Sequence, residues 1–186
     1  MYLAHKHILK FGTCGLAILW GFSLTVSGHK IMLVSANAVT APSGTVSFNK
    51  SPRLITAYAT FSDTRVRGAI YYFDIELPED AGEPLEQIVI HQRQGQEDIE
   101  FRLDKTVAYM GTHRKKKAPL NIASVTQDPD NQAITIVLDD YISPGTTFTV
   151  GVKPRRNPFY DGIYLFGVTA FPAGKKSNGL YLGVGR

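Results

Sequence analysis

Apolar side chains recur at every second position in several stretches of this chain, and this period constrains the fold more than any other feature. Residues 69–77 show it best, with apolar side chains at the odd numbers and Asp74 and Glu76 among the even ones. Because successive side chains of a β-strand point to opposite faces of a sheet, the pattern predicts a strand with one apolar face. Residues 134–138 and 148–152 repeat the period, each after a Pro-containing turn. Helical periodicity is almost absent after residue 38, so the sequence predicts an all-β fold.

Further segments of strand length follow one another between turn signals, which is typical of a sandwich of two sheets. The run at residues 163–171 is apolar on both faces, so it predicts a central strand buried on both sides. Residues 78–85 are expected to hold one helical turn, limited by Pro84. We predict an antiparallel, immunoglobulin-like β-sandwich of about eight or nine strands. The predicted strands are residues 54–61, 69–77, 87–92, 99–103, 120–126, 134–138, 148–152, 163–171 and 179–184.

The first 38 residues differ in character from the rest of the chain. Lysines and no acid precede the uncharged residues 11–28, whose apolar centre is residues 15–26. A basic start, an apolar centre and small residues after it are the layout of a secretory signal peptide. Cleavage is expected after Ala36-Asn37-Ala38 or, alternatively, after Gly28. Retention as an anchor is the other interpretation, since 18 uncharged residues reach the lower limit for a membrane span.

Charge has to be counted separately for the first 38 residues, which we call the leader, and for residues 39–186, the remainder. Three of the 20 basic residues precede Val39 and all 16 acidic residues follow it, so the remainder is nearly neutral. It shows no basic excess that would indicate nucleic-acid binding. The single cysteine, Cys14, also lies in the leader, which excludes a disulfide or thiolate-metal framework for the remainder. We predict one domain over residues 39–186, exported to the periplasm or cell envelope, with no transmembrane span once the leader is cleaved.

Several short motifs of the exported part occur together in a known family. The motifs are Pro52-Arg53-Leu54, Arg67-Gly68-Ala69, Tyr71-Tyr72-Phe73, Leu77-Pro78, residues 81–85, residues 153–174 (KPRRNPFYDGIYLFGVTAFPAG) and residues 179–183. With them, the chain resembles the cyanobacterial domain-of-unknown-function family 2808, whose members are short proteins with a signal peptide. The resemblance covers nearly all of the exported part and implies a cyanobacterial source and export. It implies no reaction, and no functional residue is carried over from it.

Residues 113–117 (HRKKK) form the densest charge cluster of the chain. Gly111 and Pro119 bracket them, so we expect a loop. Arg114, Lys115, Lys116 and Lys117 could bind phosphate, sulfate, an acidic polysaccharide or an anionic membrane, with an affinity that falls as salt rises. The alternative is a solvated hairpin tip without a ligand.

A second candidate surface is Arg155, Arg156 and Tyr160, in the connection before residues 163–171. Guanidinium groups beside aromatic rings suit a carboxylate or a sugar. The alternative is an ordinary connection in which the arginines pair with carboxylates such as Asp161 or Asp139.

Catalytic residues are not indicated by any motif of residues 39–186. His91 and His113 are the only histidines there, and no carboxylate adjacent in sequence orients His113. No Gly-x-Ser-x-Gly elbow, His-Glu-x-x-His helix or Gly-rich phosphate loop occurs. Scattered Met110, His91 and His113 do not define a metal site, and Asp128-Pro129-Asp130-Asn131 is expected to be a β-turn without an ion. The sequence therefore assigns no cofactor.

The function expected from these observations is that of a non-enzymatic binding or structural module of the cell envelope. Its partner would be an anionic polymer, a lipid or a protein. One alternative is an envelope hydrolase acting on polysaccharide or peptidoglycan, which needs two facing carboxylates among Asp74, Glu76, Asp139 and Asp140. Another alternative is a periplasmic metal-binding protein.

Overall fold

The computed structural model of the chain describes residues 44–186, so the predicted signal peptide, residues 1–38, lies outside the described residues. Ten β-strands and two 3-10 turns follow one another in this part. No helix within residues 44–186 is long and apolar enough to cross a membrane. The strands are β1 Arg53–Ala59, β2 Tyr71–Leu77, β3 Leu85–Gln94, β4 Val107–Thr112, β5 Lys115–Pro119, β6 Ile122–Gln127, β7 Ile134–Ile142, β8 Thr146–Val152, β9 Leu165–Pro172 and β10 Leu180–Gly185.

The strands form two antiparallel sheets of five strands each. The first sheet has the order β1-β2-β8-β4-β5 and the second has the order β10-β9-β3-β7-β6. Their inner faces share one apolar core, so the predicted antiparallel β-sandwich is confirmed, with ten strands instead of eight or nine. Strands β5 and β6 are neighbours in sequence and form an edge of each sheet.

Side chains of β2 point alternately into the core and to the outer face, which explains how the first sheet contributes to this core. Phe73, Ile75 and Leu77 are buried among core side chains, as the two-residue period predicts. Ile88 and Ile90 of β3 contribute from the second sheet in the same way. Asp74 points to the outer face of the first sheet, where charged side chains are ordinarily solvated.

Two predicted segments have a different structure from the one expected. Residues 99–103 are not a strand, because Phe101 makes only an isolated bridge with Pro154 and a 3-10 turn follows at Leu103–Lys105. Residues 113–117 are only partly a loop, because His113 and Arg114 form a turn but Lys115–Pro119 pairs with β4 as the edge of the first sheet. An edge strand whose residues are all exposed needs no apolar face, so its sequence carries no period-two signal.

Residues 163–171 were predicted to be a central strand; the segment does contain a strand, β9, but this strand is not at the centre of its sheet. Strand β9 is second from the edge of its sheet, and its outward Thr169 and Phe171 are only half-buried. Ile163 precedes the strand and is exposed. The predicted helical turn is confirmed as the 3-10 turn Glu79–Ala81. The Asp128 turn is also confirmed, since Asp128 Oδ1 accepts from the Asp130 backbone N–H at 2.8 Å.

Candidate functional site

Asp74 is a buried carboxylate on the outer face of the first sheet, and only 2% of it is exposed. The turn between β4 and β5 reaches across that face and covers it. Asp74 Oδ1 accepts hydrogen bonds from the backbone N–H of His113 at 2.9 Å and from Thr149 Oγ1 at 2.7 Å. Asp74 Oδ2 lies 2.7 Å from His113 Nδ1, which donates because a carboxylate can only accept. Asp74 thus attaches the β4–β5 turn to β2 and β8.

Aromatic stacking fixes the same turn. The His113 ring stacks on Tyr58 of β1 at 4.7 Å between centroids and is nearly parallel to Tyr72 of β2 at 6.4 Å. Tyr58 and Tyr72 are direct cross-strand partners. His113 Nε2 is buried without a hydrogen-bond partner in the described part of the chain. No carboxylate adjacent in sequence orients His113, but the fold supplies one, because Asp74 does so from 39 residues away.

Gly111 allows the chain to enter this turn. Its φ is +87°, and a Cβ at this position would lie 2.2 Å from the carbonyl oxygen of Lys115. Thr149 Oγ1 is also 2.8 Å from the Gly111 carbonyl oxygen, which places that oxygen beside the Asp74 cluster. Because this position requires both a left-handed backbone conformation and the absence of a side chain, only glycine fits here.

The four cations of the first candidate surface lie together on this hairpin. Arg114 is in the turn and Lys115, Lys116 and Lys117 are on β5, and all four are exposed. Among residues 44–186, none of the four has a carboxylate oxygen within 4.0 Å. We call these four residues the basic hairpin.

Lys116 differs from the other three because it lies over aromatic rings. Its Nζ is 5.1 Å from the ring centroids of both Tyr72 and Tyr109. It also donates a hydrogen bond to Tyr72 Oη at 3.3 Å. These contacts fix the long side chain on the outer face of the sheet, where its charge stays accessible.

Tyr109 contributes a buried hydroxyl to this face. Burial, followed by the neighbouring Tyr72 and Asp74, raises the pKa of Tyr109 to about 12, although its contact with Thr149 acts in the opposite direction. Within the described residues, its hydroxyl makes no hydrogen bond of normal geometry. The neutral phenol is therefore the form that the folded chain holds.

Tyr109 should make the fold sensitive to alkaline pH. Above pH 10 the unfolded chain loses the Tyr109 proton, whereas the folded chain keeps it until about pH 12. Stability from this difference is present below pH 10 and is lost as pH rises towards 12. In urea unfolding at pH 8 and pH 11, we expect Tyr109→Phe to lose less stability than the wild type, by about 1 kcal/mol. Exposed Tyr141→Phe is the control, and an equal loss in Tyr109→Phe and wild type would contradict the prediction.

The second candidate surface is divided between ordinary contacts and a cleft. Arg155 Nε lies 3.3 Å from Glu100 Oε2, so Arg155 pairs with a carboxylate as the alternative interpretation expected, but the partner is neither Asp161 nor Asp139. Arg156 lies over the Phe159 ring at 3.6 Å. Tyr160 is 61% exposed. It lines a cleft of about 430 Å³ at one end of the sandwich, which we call the aromatic cleft. The structure therefore does not bring the three predicted residues to one ligand-binding face.

Asn157 connects the loops that form this end of the sandwich, and it was not singled out in the sequence analysis. It is 2% exposed. Its Nδ2 donates to the carbonyl oxygens of Phe61 at 2.9 Å and Asp63 at 2.8 Å. Its Oδ1 accepts from Tyr71 Oη at 2.9 Å. Burial, followed by the nearby Tyr164, raises the pKa of Tyr71 to about 12, so this hydroxyl remains a donor.

The acids of the hydrolase alternative are not placed face to face by the structure. Asp74 and Glu76 belong to β2 of the first sheet, whereas Asp139 and Asp140 belong to β7 of the second. Neither the aromatic cleft nor the larger polar cleft beside Arg155 is lined by any of these four residues.

The structure likewise separates the residues considered for a metal site. His91 is on β3 of the second sheet, while Met110 and His113 belong to the β4–β5 hairpin of the first. Within residues 44–186, no three His, Cys, Asp or Glu side chains are grouped so that they could hold a metal ion.

Fold and site together define an all-β sandwich domain with a basic hairpin on its first sheet and an aromatic cleft at one end. The family model described as "Protein of unknown function (DUF2808)" matches residues 45–186, and the chain belongs to this family. The family inferred from the sequence motifs is thereby confirmed. Among solved structures, the collagen-binding domain from a Staphylococcus aureus adhesin is similar at 11% identity and a TM-score of 0.36, covering 70% of this chain and 94% of that domain. No curated protein matches the sequence significantly.

Proposed function

We propose that this chain is an exported, non-enzymatic module of the cell envelope that binds an anionic envelope component through the basic hairpin. The observation that carries the proposal is that Arg114, Lys115, Lys116 and Lys117 are consecutive and exposed, with no carboxylate within 4.0 Å among the described residues. Elsewhere on the described surface, Lys50 and Arg155 have acidic partners, whereas Lys175 and Lys176 have none but form only a pair. The basic hairpin is therefore distinguished by four adjacent cations, not by the absence of ion pairs alone.

Preorganisation supports a binding role for these cations. The turn that carries Arg114 is held by the Asp74–His113 contacts, and Lys116 is held over Tyr72 and Tyr109. Binding an anion then orders fewer side chains than binding on a mobile loop would. Phosphate, sulfate and carboxylate groups are all suitable ligands, and they occur in anionic polymers and lipids.

An edge strand with three lysines and a proline is also a common way to prevent pairing with a second sheet. The same lysines can serve both roles, protection of the sheet edge and binding of an anion. Only the second role requires a ligand, so a binding experiment distinguishes them. Three further predictions belong to the proposal: the module is exported, it comes from a cyanobacterium, and its sandwich is of the immunoglobulin-like class.

The test compares two double variants of the full-length chain that each remove two exposed lysines. Lys115→Ser with Lys117→Ser alters the basic hairpin, whereas Lys175→Ser with Lys176→Ser is the control between β9 and β10. Binding is measured by cosedimentation with an envelope fraction and with phosphatidylglycerol or phosphatidylcholine vesicles, and by retention on dextran sulfate, over a salt series. We expect the hairpin variant to bind about 10-fold more weakly than wild type, and the control much less so.

The probe that the chain binds identifies the class of its ligand. Salt-sensitive binding to phosphatidylglycerol but not to phosphatidylcholine would identify a lipid headgroup, and binding to dextran sulfate alone would identify a polymer. Equal weakening in both double variants, or binding that does not fall with salt, would overturn the proposal.

A further inference from the structure

The aromatic cleft lies where the end of β1, the loop after it and the loop before β9 meet. It has a volume of about 430 Å³, within the range of small-molecule sites. Eight of its 19 lining residues are aromatic, and both sheets contribute, since Phe73 and Phe166 form part of its wall. The rings that matter for the argument are Tyr58, Phe61, Tyr71, Tyr72, Tyr160 and Tyr164.

Two of these rings are held in place by hydrogen bonds to other residues of the lining. Tyr71 donates its hydroxyl to Asn157, and Tyr164 donates its own to the Tyr160 carbonyl at 3.1 Å. Asn157 in turn holds the loop at Phe61. The rings therefore form a wall that exists before any ligand binds, and little ordering is required on binding.

Other rings remain available at the mouth of the cleft. Tyr58 is 42% exposed, Phe61 50% and Tyr160 61%. Exposed aromatic side chains beside a cleft are typical of ligand-binding surfaces, because their faces gain from covering apolar groups. No hydrogen bond within residues 44–186 engages the hydroxyl of Tyr58 or Tyr160, so each can still contact a ligand.

Polar groups in the lining favour a ligand rich in hydroxyl groups. Ser62 and Thr64 add two more hydroxyls to those of the tyrosines, and Asp161 adds a carboxylate. Asp161 has no ion-pair partner in the described part of the chain. A carboxylate needs donors, which sugar hydroxyls supply and a polyproline peptide, lacking N–H groups, does not.

We propose that the aromatic cleft is a binding site for a glycan, with the apolar face of a pyranose ring stacked on Tyr58 or Tyr160 and its hydroxyls bonded to Asp161 and the neighbouring hydroxyl groups. The site is separate from the basic hairpin, but two lining residues also contact that hairpin or its turn: Tyr72 contacts Lys116, and Tyr58 stacks on His113. Tyr160 lines the cleft and has no such contact within residues 44–186, so Tyr160→Ala is the variant that reports on the cleft alone. The proposal does not depend on anion binding by the hairpin.

The test uses saturation-transfer difference NMR and calorimetry on the full-length chain with cellohexaose, maltohexaose and chitohexaose, and with a decaproline peptide as the competing ligand class. Tyr58→Ala and Tyr160→Ala are the site variants. Tyr141→Ala is the matched control, because Tyr141 is 58% exposed on β7 and does not line the cleft. Circular dichroism checks that each variant is folded.

Binding of at least one oligosaccharide is expected, weakened about 10-fold by each site variant and unchanged by Tyr141→Ala. The Lys115→Ser, Lys117→Ser variant should keep this binding, which separates the test from that of the basic hairpin. No binding of any of the three oligosaccharides would overturn the proposal, as would equal weakening by Tyr141→Ala. Binding of decaproline alone would assign the cleft to a peptide instead.

Discussion

Replacing Asp74 by alanine is expected to lower the free energy of unfolding by about 3 kcal/mol, because three donors lose their acceptor in a buried place. They are the backbone N–H and Nδ1–H of His113 and the hydroxyl of Thr149. Thr149 retains the Gly111 carbonyl oxygen as an alternative acceptor. His113 has none within the described residues, so the β4–β5 turn should separate from the sheet.

Urea unfolding of the full-length chain measures this change. Asp140→Ala, at an exposed position on β7, is the control and should change stability by less than about 0.5 kcal/mol. Anion binding by the Asp74→Ala variant should also weaken, because the turn that carries Arg114 is no longer held. Wild-type stability in Asp74→Ala would show that the outer face of the first sheet does not depend on this carboxylate.

Asn157→Ala should have the second largest effect, a loss of about 2–3 kcal/mol in the free energy of unfolding. The carbonyl oxygens of Phe61 and Asp63 lose their donor, and the Tyr71 hydroxyl loses its acceptor. Because these three contacts hold the loops around the aromatic cleft, oligosaccharide binding should be lost together with stability.

Thermal unfolding and oligosaccharide titration together test this variant. Exposed Asn121→Ala is the control and should leave both quantities unchanged. A variant that loses stability but binds oligosaccharide as tightly as wild type would show that the cleft is shaped without the Asn157 contacts.

The strands that could be predicted from the sequence are those with one face in the core. Phe73 and Ile75 on β2, and Ile134 and Ile136 on β7, are buried at every second position, so hydrophobic periodicity reports them directly. Strand β5 could not be found this way, because all of its residues are exposed. Residues 99–103 gave a false strand, because Ile99 and Phe101 are buried with the spacing of a strand, although Phe101 makes only an isolated bridge and a 3-10 turn follows.

The site was predictable where it depends on composition and not where it depends on contacts between distant residues. Four adjacent cations, from Arg114 to Lys117, are visible in the printed sequence. The Asp74–His113 contact joins residues 39 apart, and no local pattern encodes it. The one local signal was that Asp74 lies among apolar neighbours in a clearly predicted strand. A carboxylate at such a position is either solvated or specifically hydrogen-bonded.

The attachment of the β4–β5 turn also determines how this part of the molecule opens. Hairpin ends usually fray, and their amide protons exchange with solvent far sooner than those of central strands. Here the amide of His113 donates to a buried carboxylate on β2, with Tyr58 of β1 stacked against its ring. Detaching the turn disrupts its contacts with β1 and β2, so amide exchange at His113 should be as slow as that of the sheet beneath it. The backbone that carries the four positive charges then keeps a fixed arrangement for as long as the sheet stays folded.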